Sequence, residues 1–364
     1  MLTRYDEFLC HQIVSTFDHP STSAREWTER TWFSVHDTSG KLSLVNSFGY
    51  YPNRNIIDSY VSVTVEGKTV YTVRASRELR PQADETRVGP FSYEIVEPLL
   101  KVRSRLEENE YRVSYDILFE GTMPAHEEDP QYARARGRVE EHIVRYIQLG
   151  KPSGWIKIEG ETYKLDKDTW RAERDHSWGV RRGGGVPETG VQPGEIPEGY
   201  MHNFIAIQFD RWGATFHRRE NWEGKPLMFS GSILYPYGME KRELPLTGVE
   251  HDYKFRPDIR QITSANITLS AADGSTFEVT ARPLNACYLK AGGMFGFRGF
   301  THGLWMGPSF IDGHKLDATD PRVLAELHFI EDMACEVRCG NEVGYGIVEL
   351  VLIGKYPKYG FHSY

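Results

Sequence analysis

From Trp27 onward apolar and polar residues alternate with a period of two, in short runs broken by turn formers, and that is the pattern of half-buried β-strands. Tyr60-Val61-Ser62-Val63-Thr64-Val65 alternates, Glu66-Gly67-Lys68 turns, and Val70-Tyr71-Thr72-Val73 returns, which predicts a hairpin. Trp32 to His36, Leu42 to Val45, Glu94 to Val96, Lys101 to Leu106 and Tyr111 to Phe119 extend the series. Ile143 to Leu149 and Trp155 to Ile158 read as a pair folded across Gly150-Lys151-Pro152-Ser153-Gly154. The pattern breaks in three places. Residues 4–17 set Phe8, Leu9, Gln12 and Ile13 near helical spacing, which predicts a short amphipathic helix ended before Pro20. Residues 123–137 are charged and contain Pro124 and Pro130, which predicts an exposed loop with a helical turn at Tyr132 to Arg136. Residues 182–199 hold six glycines and three prolines with almost no apolar residue, which predicts a cover over a site or a link between domains.

The second half returns to the β pattern at Phe204 to Phe209, Ala214 to His217, Ile262 to Leu269, Phe277 to Thr280, Met333 to Cys339 and Ile347 to Ile353. Pro321 to Glu331 fits helix or strand. Strands at regular spacing with short turns predict an all-β chain of barrel or sandwich type. A chain of 364 residues is long enough for two such domains, and we place them at 1–180 and 181–364.

Composition narrows the function. The net charge of −8 gives no case for a nucleic-acid or anionic-membrane partner. No apolar run is long enough to span a bilayer as a helix, and the start, Met1 to Glu7, lacks the regions of a signal peptide, so a cytoplasmic setting is expected. Four cysteines in such a chain make no disulfide framework. Cys335 and Cys339 on one strand would stand roughly 13 Å apart, at about 3.3 Å per residue, too far to bridge. There is no zinc, phosphate-loop, nucleophile-elbow or dinucleotide motif, and the thirteen histidines are scattered, so no metal and no cofactor is expected. What remains is acid–base chemistry in an apolar cavity, where burial moves carboxylate and imidazole pKa values towards neutrality.

One stretch concentrates the groups that such chemistry needs: Trp170-Arg171-Ala172-Glu173-Arg174-Asp175-His176-Ser177-Trp178-Gly179-Val180-Arg181. On a strand, Arg174, His176 and Trp178 share one face and Asp175, Ser177 and Gly179 the other. The same residues also suit a structural corner, with Trp178 in a core and the arginines in ion pairs.

Arg174 to Arg181 resembles the signature of the AttH-like and carotenoid 1,2-hydratase-like superfamily. So do His11-Gln12, Trp27, Trp32-Phe33, Tyr51-Pro52-Asn53, Gly89-Pro90, Val96-Glu97-Pro98 and Gly344 to Glu349, which together span most of the chain. The resemblance implies two lipocalin-like, calycin-type antiparallel β-barrels in tandem. It also implies cofactor-independent chemistry on hydrophobic small molecules: hydration, dehydration, cyclisation or a related lyase step. The expected catalytic residues are His176 and Asp175. Trp178, Arg174, Arg181, Glu349, His302, Trp305 and His202 are the expected substrate contacts; His302 and Trp305 lie in a second His/Trp cluster that also reads as a core corner. The chain departs from the carotenoid hydratases, in which an aspartate follows the His-X-Trp element on the next strand. Here that region reads Tyr200-Met201-His202-Asn203-Phe204, with no acid. The expectation is therefore a lyase acting on an oxygenated aromatic, terpenoid or steroid, for example with release of formaldehyde or opening of a ring. An isomerase or cyclase on the same scaffold, and a non-catalytic carrier, are the alternatives. A hydrophobic small molecule is the expected partner, and self-association as a homodimer is left open.

Overall fold

Period-two alternation produces strands almost throughout the computed structural model, which describes residues 1–181 and 197–363. In chain order the first half gives β1 (Trp27–Asp37), β2 (Leu42–Tyr51), β3 (Ile56–Val65), β4 (Thr69–Glu78), β5 (Arg87–Val88), β6 (Phe91–Glu97), β7 (Lys101–Leu106), β8 (Val113–Gly121), β9 (His126–Glu127), β10 (Gln131–Ala135), β11 (Arg138–Ile158), β12 (Glu161–Leu165) and β13 (Trp170–Val180). The second gives β14 (Gly199–Gln208), β15 (Gly213–Asn221), β16 (Pro226–Leu234), β17 (Glu243–Phe255), β18 (Ile262–Ala271), β19 (Thr276–Tyr288), β20 (Ser309–Asp317), helix α1 (Pro321–Leu327), β21 (Glu331–Cys339) and β22 (Glu342–Gly354).

The first sheet runs β20-β4-β3-β2-β1-β13-β11-β8-β7-β6-β5 and curls until β5 packs against β3 and β4. Its concave face buries Phe33, Leu44, Phe48, Val61, Val73, Phe91, Phe119 and Ala172. The second sheet closes completely as β14-β15-β16-β17-β18-β19-β21-β22, around Met201, Ile205, Phe216, Leu269, Val337 and Val348. The fold is thus all-β with two barrel-like units, as the sequence suggested. Strand β20, from the second half of the chain, adds to the edge of the first sheet by pairing with β4. There Asp312 receives two hydrogen bonds from the fully buried guanidinium of Arg74, the Nε one at 2.8 Å. Arg74 Nη1 donates to Phe297 O at 2.7 Å, and its cation lies over Phe300.

Three local expectations need correction. Residues 4–17 form no amphipathic helix, only a 3-10 turn at Arg4–Glu7 capped by Thr3. Residues 138–158 make one strand instead of a hairpin, because the Gly150–Gly154 stretch stays extended while β11 passes from β13 to β8. A Cβ at Gly154 would stand 2.0 Å from Asp116 O, so glycine permits that close pairing. Residues 123–137 contain β9 and β10, both paired to β11, so Tyr132 lies on a strand and not in a helical turn. The ambiguous segment resolves as α1, started by Asp320, whose side chain caps Arg322 N–H at 2.8 Å, with Pro321 in the first turn. Most of the Gly/Pro-rich segment, residues 182–196, lies outside the described residues.

A third apolar cluster joins the two barrels. Trp32, Val45, Tyr60, Ile147 and Leu149 from the first meet Phe204, Ala206, Leu234, Ala334, Ile347 and Val351 from the second. Trp32 and Phe204 meet edge to face at 5.7 Å. Helices are few, and among the described residues none is long and apolar enough to cross a membrane.

The Arg74–Asp312 pair yields a prediction. Asp312→Ala would leave a buried guanidinium without its carboxylate, a change that costs several kcal/mol at a buried pair. Asp312 keeps 28% of its side-chain exposure, so a loss of about 3 kcal/mol, at the low end of that range, is expected in a denaturant titration. An unchanged midpoint would show that β20 is held without this pair.

Candidate functional site

Strand β13 separates the signature residues by face. Its even-numbered residues enter the first barrel beside Trp170 and Ala172, and its odd-numbered ones face the second barrel. On the barrel side, His176 Nε2 meets Glu29 Oε1 at 2.8 Å and Nδ1 meets the Tyr146 hydroxyl at 3.3 Å. Arg174 Nη1 donates to the same hydroxyl at 3.2 Å, so the tyrosine proton points to His176 and the imidazole presents Nε2–H to Glu29. Arg174 also grips Gln148 Oε1 through Nε (3.0 Å) and Nη2 (2.6 Å). Trp178 lies 5.4 Å from the His176 ring. The result is a relay of carboxylate, imidazole and phenol at a partly open mouth, where His176 keeps 28% and Glu29 44% of their side-chain exposure.

On the other face, Asp175 enters the seam between the barrels, and there the chemistry converges. Asp175 Oδ1 accepts the Trp32 backbone N–H at 3.1 Å, and Oδ2 pairs with Arg145 Nε at 3.2 Å. Arg145 Nη1 and Gln131 Nε2 each point to His217 Nδ1 at 3.1 Å. Glu128 Oε2 also stands 3.3 Å from that Nδ1, and His217 Nε2 meets His202 Nδ1 at 3.1 Å. His202 Nε2–H then donates to Glu349 Oε1 at 2.6 Å. Glu349 stands opposite Asp332 in the β21–β22 pairing, and Asp332 Oδ2 accepts the indole N–H of Trp32 at 2.7 Å. The path closes on the residue where it began. β1, β11 and β13 supply one half of the ring, β14, β15, β21 and β22 the other.

Electrostatics follow from burial. Desolvation and the neighbouring Glu349 charge push the Asp332 carboxyl well above the usual carboxylate range. Burial likewise depresses His217 and raises Asp175, the latter against the pull of Arg145. Burial raises Glu128 too, but Arg145 and His217 outweigh it and hold it low. The ring is not uniformly buried. Arg145 and Asp175 each keep 13% of their side-chain exposure, Glu349 11% and His202 17%. Glu128 keeps 2% and His217 none. Its members therefore range from fully buried to slightly exposed.

Beside it the first barrel contributes Arg30, which donates to Tyr51 Oη at 2.7 Å, and Arg181, which donates to Ser177 Oγ at 2.8 Å. Burial, then the charges of Arg30 and Arg145, lower Arg181 to about 9. The Nε atoms of Arg30 and Arg181 have no acceptor among the described residues. Asp58, raised by burial to about 6 in spite of Arg30, accepts Gly303 N–H at 2.7 Å. That bond fixes the neighbouring His302, which stacks on Tyr60 at 5.0 Å.

Of the expected site residues, the structure thus gathers Asp175, Arg181, His202, His302 and Glu349 around the seam. Arg174, His176 and Trp178 lie on the far side of β13, and Trp305 stands apart at 50% exposure. Arg174 and Arg181 do not hold Glu349; His202 does. Sequence reasoning missed Trp32 as a link, and Arg145, His217 and Asp332 altogether. The available signal was slight: Asp332 directly precedes the apolar run Met333-Ala334-Cys335. Grooves of ≈ 410 Å³ at Pro124 and Pro236–Arg242 and ≈ 340 Å³ at Asp258–Arg260 and Leu350–Gly354 contain none of the ring residues. Among the described residues no three His, Cys, Asp or Glu side chains are placed to share a metal ion.

A family model described as "Family of unknown function (DUF8625)" matches residues 2–362. No curated protein matches the sequence. Among solved structures, one from Nitrosomonas europaea, which carries the AttH designation provisionally, is similar at TM-score 0.54 and 13% identity over 89% of this chain and 92% of that one. CghA with Sch210972 is similar at TM-score 0.51 and 11% identity over 90% and 89%. CghA without it gives 0.51 and 10% over 91% and 89%. At these identities the likeness shows the fold, which is that of the AttH-like group.

The raised Asp332 carboxyl makes a signed prediction. A folded-state pKa above the unfolded value means the native chain binds the extra proton, so this group costs stability as pH rises above the ordinary carboxylate range. Asp332→Asn keeps the acceptor for Trp32 and removes the titration. We expect the variant to melt at or above the native temperature at pH 8, by a few degrees for a gain of order 1 kcal/mol, with the difference shrinking towards pH 4. A variant destabilised equally at both pH values would refute the assignment of a raised pKa to the buried Asp332.

Proposed function

The chain belongs to the DUF8625 family of unknown function, and we propose that it is a cofactor-independent lyase that adds or removes water, or cleaves a carbon–oxygen or carbon–carbon bond, in a hydrophobic oxygenated small molecule held at the seam. An aromatic, terpenoid or steroid would match the apolar character of the seam, where Trp32, Phe204, Val351 and Tyr60 are buried in one cluster. The observation that carries this reading is the Glu349–His202 pair beside the buried Asp332 carboxyl. A carboxylate held by an imidazole N–H there stands opposite an acid whose pKa burial raises, and titratable groups perturbed in this way cluster at functional sites.

In this reading Glu349 is the catalytic acid–base. Its carboxylate takes a proton from the substrate while His202 keeps it oriented, and the proton held by Asp332 is returned to the departing oxygen through the pair. Addition of water runs the same transfers in reverse. Arg30 and Arg181 offer unmatched N–H donors to a substrate carboxylate or to an oxygen that gains charge. Asp175 is a positioning residue: its contacts to Arg145 and to the Trp32 N–H hold the ring in register.

A second reading rests on the Glu29–His176–Tyr146 relay, which has the sequence of groups that activates a hydroxyl and opens at the first barrel's mouth. The two readings separate by mutation. Turnover is sought with unsaturated and hydroxylated aromatics, terpenoids and steroids in ¹⁸O-labelled water, read by mass spectrometry as the gain or loss of water or of a carbon fragment. The seam reading expects Glu349→Gln to cut turnover by about 10²–10⁴-fold at a nearly unchanged melting temperature, with His176→Ala within a few-fold of native. The reverse pattern moves the chemistry to His176. Tight binding without turnover in the native chain would overturn both and leave a carrier.

A further inference from the structure

The second barrel ends in a polar cluster that the seam does not use. Glu220 (β15) and His251 (β17) lie at 1% and 6% exposure inside it, with Glu220 Oε1 3.2 Å from His251 Nε2. Arg218 ion-pairs with the same carboxylate. The His251 ring stacks on Tyr253 at 5.2 Å, and the Tyr253 hydroxyl donates to Asn203 Oδ1 at 2.9 Å. Asn203 is fully buried, and its Nδ2 has no partner among the described residues.

The groups that satisfy this cluster come from the chain's own end. Past β22 the chain turns through Pro357–Tyr359 and lays two phenols into the barrel. The Tyr356 hydroxyl donates to Glu220 Oε2, and the Tyr359 hydroxyl meets His251 Nδ1 at 2.6 Å. The two rings stack at 5.4 Å. Nε2 of His251 faces a carboxylate, so its proton belongs there and Nδ1 is left as an acceptor. Lys358 Nζ lies 3.5 Å from Nδ1 but spends its close bond on His251 O at 2.6 Å. Tyr356 is fully buried. Tyr359 is half-exposed, and Pro357, Lys358 and Gly360 are exposed.

We propose that this mouth is a second binding site, for a neutral hydroxyaromatic compound, and that Tyr359 occupies it in place of the ligand. The chemistry of the site selects that class. With Tyr356 kept on Glu220, the group that Tyr359 leaves behind is an acceptor, the His251 Nδ1 lone pair, so it calls for a hydroxyl that keeps its proton. A phenol supplies a more acidic hydroxyl than an alcohol and a flat ring for the aromatic wall of Tyr253, Phe255 and Tyr356. Tyr359 is the replaceable one because it sits at the rim, while Tyr356 anchors the tail.

p-Cresol reproduces the tyrosine side chain, and toluene is the same shape without the donor. Hydrogen–deuterium exchange of the tail reads displacement through the turn amides of Tyr359, Gly360 and Phe361, which bond to Tyr356 O, Pro357 O and Tyr356 O. In the native chain we expect millimolar p-cresol to raise exchange of residues 357–362 several-fold, toluene to leave it unchanged, and Tyr359→Phe to exchange several-fold faster with no ligand added. Unchanged tail exchange with p-cresol up to its solubility, or an equal rise with toluene, would overturn the proposal. Both results come from the native chain and need no variant to fold.

Discussion

Trp32 is the residue on which the two halves of this protein agree. Its backbone N–H is held by Asp175 on the neighbouring strand, and its indole N–H by Asp332 on the other barrel. Its ring packs against Phe204 across the seam. Its side chain therefore bridges the two sheets through one carboxylate and one aromatic contact, while its backbone is tied to Asp175 within its own sheet. An indole suits the role because it joins a large apolar surface to one directed donor.

The polar ring around that bridge is costly to bury. Six ionisable side chains besides Asp332 meet in the seam, and isolated charges there would be prohibitive. The protein meets the cost by pairing and by a shifted pKa. Arg145 serves Asp175, Glu128 and His217; His202 joins His217 to Glu349; the pKa of Asp332 is driven upwards. Surrounding apolar contacts, Ile147 and Leu149 against Ala334 and Ile347, hold the barrels at the spacing the ring requires. Stability alone would be better served by apolar residues in those places. That such a network persists is the physical reason to look for chemistry here.

The barrels handle their ends differently. The first is an incompletely closed sheet whose mouth keeps Glu29, His176 and Trp178 half-open, and whose edge is extended by β20 from the far half of the chain. The second is a closed ring whose polar end is stopped by the chain's own tail. A closed barrel has no strand edge to protect, so the tail answers a different need: two buried acceptors, Glu220 and His251, that demand donors.

Period two in the sequence was enough to determine strands, hairpins such as Tyr60 to Val73, and the two faces of Arg174 to Arg181, because side-chain direction along a strand is a local property. The signature motif also pointed to the right group of folds. Local pattern misread Gly150 to Gly154 as a turn and residues 4–17 as a helix, since partner strands and packing, not propensity, settle such segments. Only the tertiary structure could decide which face of β13 meets the other barrel. Asp175 and His176 are neighbours in sequence but belong to different sites, and Asp332 and Trp32, 300 positions apart, share one hydrogen bond. The pKa of Asp332 follows from that placement, because desolvation and the Glu349 charge act through space and leave no trace in the order of residues.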